Sequence, residues 1–190
     1  MKILSGKFKG RNFYMPGHIR PTQNIIRKAL FDIIGHDLEG IDFLELFAGS
    51  GGVGLEALSN GADSAVMVDR DPKCTDTIRT NMSLFQPEND SQVNDEYNVM
   101  EMDAFVAVKF LVKQCRKFHV LFCDPPYEME LAKKVLKTLD AYDILHTNCV
   151  VVIEHSKREK LPENTGKFSL VKRRKYGKSF LAVYESKIVK

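Results

Sequence analysis

Short apolar runs alternate with amphipathic stretches along most of the chain. Apolar segments at Ile41–Leu46, Ser64–Asp69 and Phe118–Cys123 have the length of strands, and Val53–Asn60 and Pro72–Phe85 have the spacing of helices. Strands that alternate with helices close into a parallel sheet through right-handed crossovers. The pattern therefore predicts an α/β fold of the Rossmann-like kind.

The same alternation continues through the second half of the chain, which ends in two extended segments separated by Gly177. These two segments are predicted to pair as a terminal antiparallel hairpin, which gives a seven-stranded, mostly parallel sheet. The further predicted strands are Tyr97–Met102, Cys149–Ile153, Phe168–Lys175 and Ser179–Tyr184, and the further predicted helices are Ala104–Cys115 and Glu128–Tyr142.

Residues 1–19 precede this pattern and are predicted to form a small β-hairpin extension, whereas residues 20–190 form the main domain. A helix with one apolar face follows Arg20–Pro21–Thr22. Because Pro21 disfavours helical geometry at Arg20, Thr22 is predicted to be the N-cap of that helix. The apolar face is expected to be part of the core and consists of Ile26, Ala29, Leu30, Ile33 and Ile34.

A glycine-rich segment, Phe47–Gly54, joins the first strand of the sheet to the helix after it, with Gly49, Gly51 and Gly54 in Gly-x-Gly-x-x-Gly spacing. Glycines here allow a sharp turn and a close approach of a ligand to the backbone. Asp69 ends the second strand, where a carboxylate can accept hydrogen bonds from both ribose hydroxyls. The combination predicts a nucleoside cofactor.

The glycine spacing alone fits NAD as well as S-adenosylmethionine. Two further acids favour S-adenosylmethionine. Glu45 precedes the turn, where a carboxylate suits an ammonium group but repels a pyrophosphate. Asp103 ends the third strand, where it could meet the adenine amine. We therefore expect S-adenosylmethionine as the cofactor.

The tetrad Asp124–Pro125–Pro126–Tyr127 ends the fourth strand, at the carboxyl edge where open α/β sheets bind ligands. The two prolines stiffen the loop and leave backbone carbonyls free as acceptors. Hydrogen bonds from a base amine to the Asp124 carboxylate and the Pro125 carbonyl would aim the nitrogen lone pair at a methyl donor, and Tyr127 could stack on the base. The tetrad predicts methylation of an exocyclic base amine.

Charge is unevenly distributed along the 190 residues, whose net charge is +3. Residues 1–40 and 155–190 together hold 18 Lys and Arg against 6 acids, and the middle holds 10 against 19. Basic ends beside the predicted site favour a nucleic-acid substrate.

The four cysteines are expected to be reduced core residues. Neither they nor the five histidines have metal-ligand spacing, so no metal is expected. No apolar run is long enough for a membrane span, and we expect a soluble, cytoplasmic protein.

These motifs resemble those of the bacterial methyltransferases of the RsmD type, which methylate the exocyclic amino group of one guanine in 16S ribosomal RNA. The resemblance covers nearly the whole chain and implies a class I methyltransferase fold and the small ribosomal subunit as partner. We also expect a monomer. The resemblance rests on Gly6–Arg11, Arg20–Pro21–Thr22, Arg27, Ala29–Phe31, Leu46–Gly51, Gly54–Leu58, Asp103–Ala104, the tetrad, Glu154–His155 and Lys175–Gly177.

The resemblance also implies roles for individual residues. The chain departs from the family at Asn24, Ile25 and Lys28, where the family tends to have Asp, Arg and Glu, so no RNA contact is carried over to these three positions. The amine site is Asp124, Pro125, Pro126 and Tyr127, the cofactor residues are Glu45, Phe47, Ala48, Gly49, Ser50, Gly51, Asp69, Arg70, Asp103 and Ala104, and the candidates for RNA contact are Lys7, Lys9, Arg11, Arg20, Thr22, Arg27, Arg173, Arg174 and Lys175.

Other functions are compatible with parts of the pattern. A DNA adenine methyltransferase uses the same tetrad, but such enzymes usually carry a sizeable target-recognition region, which the sequence does not offer. An NAD-binding oxidoreductase would share the glycine spacing, and a non-catalytic RNA-binding protein would share the basic ends. Methylation of duplex DNA and binding of NAD would distinguish these alternatives.

Overall fold

The computed structural model describes residues 1–18, 22–85, 99–127 and 130–187. These residues contain a seven-stranded sheet with the order β3-β2-β1-β4-β5-β7-β6. The strands are β1 Asp42–Leu46, β2 Ser64–Asp69, β3 Val99–Glu101, β4 Phe118–Cys123, β5 Leu145–Ser156, β6 Phe168–Tyr176 and β7 Ser179–Ser186, and the helices are α1 Asn24–Ile34, α2 Gly52–Ser59, α3 Pro72–Phe85, α4 Ala104–Lys113 and α5 Leu131–Ala141.

Strands β1 to β5 run parallel, and β7 lies antiparallel between β5 and β6. This arrangement confirms the predicted α/β fold with a terminal antiparallel hairpin. The predicted bounds of β2, α3 and β4 agree with the structure, whereas β5 is longer than predicted because it also pairs with β7. The start of the third strand at Tyr97, the loop at residues 86–92 and the start of a helix at Glu128 lie outside the described residues.

Helices cover both faces of the sheet. Successive strand residues point to opposite faces, so Leu44 and Leu121 pack toward α4 and α5, whereas Phe43 and Phe122 pack toward α1 and α2. Three cysteines are buried as predicted, but Cys115 is exposed because it follows the end of α4. Among the described helices, none combines the length and the apolar character that a membrane span requires.

The first fourteen residues pack against the main sheet layer. Ile3 and Phe13 belong to a hydrophobic cluster with residues of α2 and α3. The two arms of the segment pair antiparallel as a short hairpin, with a bridge between Lys2 and Asn12 and with the N–H groups of Ile3 and Phe13 donating to the carbonyls of Arg11 and Met1. The backbone N–H groups of Leu4 and Ser5 donate instead to the buried carboxylate of Glu56 on α2, so they are not available to a strand partner.

Arg27, predicted to contact RNA, is completely buried, and that prediction is wrong. Its Nη2 donates to the Lys2 carbonyl at 2.8 Å and to Asn24 Oδ1 at 3.0 Å. Its Nη1 lies 3.5 Å from the Glu56 carboxylate and donates to the Gly52 carbonyl at 3.4 Å. Arg27 therefore joins the amino-terminal segment, α1 and the start of α2.

Helix α1 begins one residue later than an N-cap at Thr22 would require. Gln23 occupies the N-cap position and makes no side-chain capping bond, so the prediction for Thr22 is wrong. The Thr22 side chain hydrogen bonds with Asp124 instead. Ile26, Ala29 and Leu30 are buried as predicted. The Thr22 side chain before α1 therefore contacts a residue at the sheet edge instead of capping the helix.

Replacing Arg27 with Met tests its structural role. The variant would leave the Glu56 carboxylate buried without its cation, and we expect the free energy of unfolding to fall by about 3 kcal/mol. Urea unfolding measures this, with Lys28→Met at the adjacent exposed position as the control, expected to change stability by less than about 0.5 kcal/mol. Equal stabilities of the two variants would contradict the structural role of Arg27.

Candidate active site

The register of the central strands brings several strand ends to one level. Leu46 of β1 is paired with Val68 of β2 and with Cys123 of β4, and Cys123 is paired with Ile153 of β5. The residues that follow each of these positions therefore lie side by side at the carboxyl edge of the sheet. A cavity of about 660 Å³ opens there, which is within the usual size of a small-molecule site.

Most of the predicted site residues line this single cavity. Two of the predicted cofactor residues, Glu45 and Gly51, do not line it. The predicted residues that line the cavity are Thr22, Phe47, Ala48, Gly49, Ser50, Asp69, Arg70, Asp103, Ala104, Asp124, Pro125, Pro126 and Tyr127. The fold thus joins the glycine turn and the tetrad, which stand more than seventy residues apart in the sequence, in one site.

The glycine turn has left-handed backbone geometry at Phe47, Gly49 and Gly51, whose φ angles are 60°, 55° and 71°. The N–H of Gly49 donates to Asp69 Oδ2 at 2.8 Å, which fixes the turn against the end of β2. A left-handed phenylalanine is unusual, and strained backbone of this kind concentrates at ligand sites. Phe47 packs edge-on against Phe105, with ring centroids 6.2 Å apart.

Two of the motif glycines are required by packing. A Cβ on Gly51 would lie 2.9 Å from atoms of Ile78 and Met67, and a Cβ on Gly54 would lie 2.6 Å from Met67. These positions let α2 lie directly on β2 and α3. In this chain the glycine spacing thus reflects close helix packing as well as a ligand-binding turn.

Glu45 lies behind the turn and not in the cavity. Its carboxylate is buried, and Oε2 accepts the Gly54 N–H at 2.7 Å at the start of α2. Burial raises the pKa of Glu45 to about 8, against the lowering effect of the Gly54 and Val53 N–H groups. The geometry corrects the direct ammonium contact predicted for Glu45: this residue holds the helix start behind the cofactor wall.

The acids at the ends of β2 and β3 remain suited to a nucleoside with a positive charge. Asp69 lines the cavity, and Asp103 Oδ1 caps α4 by accepting the N–H groups of Phe105 and Val106 at 2.9 and 3.3 Å. Asp103 is exposed at the cavity wall. Carboxylates in these positions match ribose hydroxyls and an adenine amine, so the residues present fit S-adenosylmethionine.

The tetrad forms the other end of the cavity. Pro125 is buried, Pro126 is exposed, and 37% of Tyr127 is exposed. The Tyr127 hydroxyl donates to Glu154 Oε1 at 2.9 Å and lies 2.6 Å from Ser179 Oγ. The hydroxyl is thus fixed while part of the ring remains open to stack on a base.

Asp124 lies next to a second acid. Its carboxyl group is within hydrogen-bonding reach of Glu154, and Thr22 hydrogen bonds to it from the connection before α1. Burial and the nearby Glu154 charge raise the pKa of Asp124 well above the ordinary carboxyl range, against the lowering effect of Thr22. Asp124 therefore holds its proton to a higher pH than an ordinary aspartate does.

Several lining residues were not predicted from the sequence. Glu154 comes directly after the predicted apolar strand Cys149–Ile153 just as Asp124 comes directly after Phe118–Cys123, and that parallel was the signal that could have indicated it. Lys134 of α5 lies over the Phe105 ring at 3.9 Å from its centroid, and no motif marks it. The remaining unpredicted lining residues are Gln23, Val68, Asp71, Cys74, Met102, Phe105 and Leu131.

The candidates for RNA contact lie at separate places. Lys7, Lys9 and Arg11 are exposed, and the Lys7 N–H donates to the Ser59 carbonyl at the far end of α2, about 12 Å along the helix from the glycine turn. Arg173, Arg174 and Lys175 are exposed on β6, opposite Ala182, Leu181 and Phe180 of β7. Arg20 lies outside the described residues.

The fold brings together potential metal ligands that the sequence spacing did not reveal. Within the described residues, His18, Asp71 and Cys74 form one group, and Asp42, His119 and His146 form another, with ligand atoms within 4.8 Å of one another. In the first group His18 Nε2 lies 2.6 Å from Asp71 Oδ2. In the second, His119 Nδ1 already accepts the Asp42 N–H. The expectation of no metal stays a prediction.

Comparison with known proteins identifies the family. A family model described as conserved hypothetical protein 95 matches residues 1–185. The chain belongs to this family. It is 33% identical over 189 residues to the putative rRNA methyltransferase YlbH of Bacillus subtilis, which covers 98% of this chain and all of the relative. It is 25% identical over 187 residues to ribosomal RNA small subunit methyltransferase D of Escherichia coli, covering 97% of this chain and 89% of the relative.

Solved structures agree with the fold. An RNA methyltransferase from Salinibacter ruber in complex with S-adenosyl-L-homocysteine has a TM-score of 0.62 at 14% identity, over 90% of this chain and 96% of that one. The family membership confirms the RsmD-type family, and this likeness confirms the class I methyltransferase fold. An NAD-binding oxidoreductase and a non-catalytic RNA-binding protein do not fit this family.

Gly51→Ala tests whether the turn is held by packing. The added Cβ would meet Ile78 and Met67 at 2.9 Å, so α2 must shift, and we expect a lower melting temperature and a loss of S-adenosylmethionine affinity of at least tenfold by calorimetry. Gly40→Ala is the control, because Gly40 also has positive φ but no atom near its Cβ. The control should lose about 1–2 kcal/mol of stability from backbone strain and keep its cofactor affinity.

The raised pKa values predict how stability changes with pH. The folded protein keeps protons on Asp124 and Glu45 that the unfolded chain has already released, so unfolding free energy should fall as the pH rises from about 4 toward about 8. Asp124→Asn removes one of these groups and should show a shallower decline, which makes it more stable than the wild type at pH 8. Urea unfolding at pH 5 and pH 8 measures this, and parallel slopes for the two proteins would contradict it.

Proposed function

We propose that this chain transfers a methyl group from S-adenosylmethionine to the exocyclic amino group of a guanine in 16S rRNA of the small ribosomal subunit, and that it acts as a cytoplasmic monomer. The observation that carries the proposal is that the tetrad and the glycine turn line the same cavity. The names of the relatives in Escherichia coli and Bacillus subtilis support ribosomal RNA as the substrate.

A base amine is a weak nucleophile because its lone pair is delocalised into the ring. The half-buried Asp124 carboxyl and the Pro125 carbonyl stand at the stiff exit of β4, where each can accept one N–H of the amine. Two such hydrogen bonds favour a pyramidal nitrogen with a localised lone pair. This is catalysis by positioning and by electrostatic stabilisation of developing charge.

The cofactor supplies a methyl group bound to a positively charged sulfur. The wall formed by Phe47 to Ser50, with Asp69 and Asp103 at the ends of β2 and β3, would hold it beside the tetrad. Acid side chains on this wall favour a positively charged ligand. The amine nitrogen and the methyl group would then meet between the turn and Asp124.

Methyl transfer forms a nitrogen–carbon bond while the sulfur keeps the electron pair of the bond that breaks. The nitrogen becomes positively charged and must release one proton. Asp124 already contacts the N–H group, and Glu154 lies within reach of Asp124. The carboxyl pair can take up this proton and pass it to water.

Tyr127 and the basic ends would bind the nucleotide and its RNA. The Tyr127 ring is partly exposed while its hydroxyl is fixed, so it offers a stacking surface for a base turned out of its helix. The hairpin of β6 and β7 joins that hydroxyl to the basic strand, because Ser179 is paired with Tyr176, next to Lys175. Phosphate contacts by these cations would hold the RNA beside the cavity.

Methylation of small subunits that lack the modification tests the proposal. Wild-type protein with labelled S-adenosylmethionine should label 16S rRNA at one position, and nucleoside mass spectrometry should identify N2-methylguanosine. Asp124→Ala should lower the rate by at least about 100-fold, because it removes an acceptor aimed at developing charge. Asp143→Ala, at an exposed aspartate that pairs with Lys117, is the control and should keep the wild-type rate.

The same assay decides between the alternatives. N6-methyladenosine in duplex DNA would favour the adenine methyltransferase, and a methylated base other than guanine in the subunit would refute the guanine assignment. Unchanged transfer by Asp124→Ala would refute the role of the tetrad. Comparing the labelling rates of free 16S rRNA and of the small subunit would show which of the two is the substrate.

A further inference from the structure

Glu154 is a buried acid in the amine site that the methylation chemistry above does not require as a direct contact. It lies near the carboxyl end of β5, and only 5% of it is exposed. It lines the cavity together with Asp124 and Tyr127. Burying a second carboxyl group beside Asp124 is costly, so its position calls for a partner.

The contacts of Glu154 leave one oxygen available. Oε1 accepts the Tyr127 hydroxyl at 2.9 Å, and Tyr127 is held in turn by Ser179 at 2.6 Å. Oε2 is buried, and once Asp124 has lost its proton no N–H or O–H donor of the described residues reaches it. A buried acceptor without a donor costs about 1–3 kcal/mol, a cost that a donor on the substrate would remove.

The chemistry of the bases identifies such a donor. In guanine the 2-amino group stands next to N1–H, so that edge presents two parallel donors. In adenine the amino group stands next to N1, which carries no hydrogen and is an acceptor. Two adjacent acceptors, one on Asp124 and one on Glu154, therefore match guanine and repel adenine, because a carboxylate facing N1 of adenine has no hydrogen to share.

We propose that Glu154 Oε2 accepts the N1–H of the target guanine while Asp124 accepts the adjacent amine N–H, so that Glu154 determines the choice of guanine over adenine. This inference rests on the proposed function. It assigns to Glu154 a role in base recognition that is separate from the tetrad.

The ionisation of the site agrees with this arrangement. Burial and the Glu154 charge raise the pKa of Asp124, so the free protein holds a proton on Asp124 to a higher pH than usual. When guanine binds, Asp124 would release that proton to water, and the two N–H donors of guanine would then stabilise both ionised acceptor oxygens. Thr22, which hydrogen bonds to Asp124 from the other side, keeps that carboxyl oriented during the exchange.

The test replaces the target guanine with 2-aminopurine, which keeps the 2-amino group but has no N1–H. Small subunits reconstituted with either base are methylated under identical conditions. The wild type should methylate the guanine subunit at least about tenfold faster, since one lost hydrogen bond to a buried charge is worth about 1.5–3 kcal/mol. Equal rates for the two subunits would overturn the proposal without any variant.

Glu154→Gln provides the second measurement. The amide oxygen can still accept the Tyr127 hydroxyl, which places the NH₂ group where Oε2 stood and turns an acceptor into a donor. Transfer to guanine should fall about 10- to 100-fold, whereas transfer to 2-aminopurine should not fall, so the preference disappears. An equal fall for both subunits would show that Glu154 only supports Tyr127, and would refute the proposal.

Two control variants separate base recognition from general damage. Glu159→Gln makes the same change five residues downstream, at a carboxylate that accepts the Lys133 N–H outside the cavity, and should keep both rates. Tyr127→Phe removes the hydroxyl donor from Glu154 and should slow both subunits while keeping the guanine preference. If the wild type labels no guanine at all, the proposed function itself fails, and this inference fails with it.

Discussion

The register of four parallel strands is the constraint on which the site depends. Because Leu46, Val68, Cys123 and Ile153 lie at one level, the residues that follow them share one edge of the sheet. The central parts of these strands are mostly apolar and buried, so the polar groups that reach the cavity lie where the strands end. A shift of one residue in β4 would turn Asp124 toward the helices and dismantle the amine site.

A second set of contacts extends this edge to the amino-terminal part of the chain. Glu56 accepts hydrogen bonds from Leu4, Ser5 and Arg27, and Arg27 also bonds to Gly52 at the start of α2. The buried pair thus fixes α1 relative to the glycine turn. Thr22 precedes α1 by two residues, so the same contacts place its side chain on Asp124. An ion pair in the core thereby positions a group at the reaction centre.

Much of this could be predicted from the sequence, because strand length, helix period and the two motifs are local properties. The errors concern residues whose role depends on distant partners. Arg27 is a cation of the kind that contacts RNA, but its charge is neutralised by Glu56, twenty-nine residues away in the sequence. Thr22 is a residue type that often caps helices, but its side chain hydrogen bonds to Asp124, which is distant in the sequence. Glu154 belongs to a short motif of the family resemblance but received no predicted role, and its place beside Asp124 follows from β5 lying next to β4. Glu45 stands where an ammonium ligand is expected, yet the N–H of Gly54 takes its carboxylate.

The division of charge along the chain follows from the two tasks of the site. In the proposed reaction an amine must lose a proton as it gains a methyl group, so the centre needs acceptor oxygens, and Asp124 and Glu154 supply them at the carboxyl edge of β4 and β5. Those same charges repel phosphates. Cations proposed to bind RNA would therefore lie outside the sheet edge, and the pairing of β6 with β7 fixes the position of Lys175. Burial raises the pKa of Asp124, which reduces the negative charge that the site presents to approaching RNA. In the proposed recognition, the ionised form of Asp124 becomes favourable through the N–H donors of the target guanine and not through the RNA backbone.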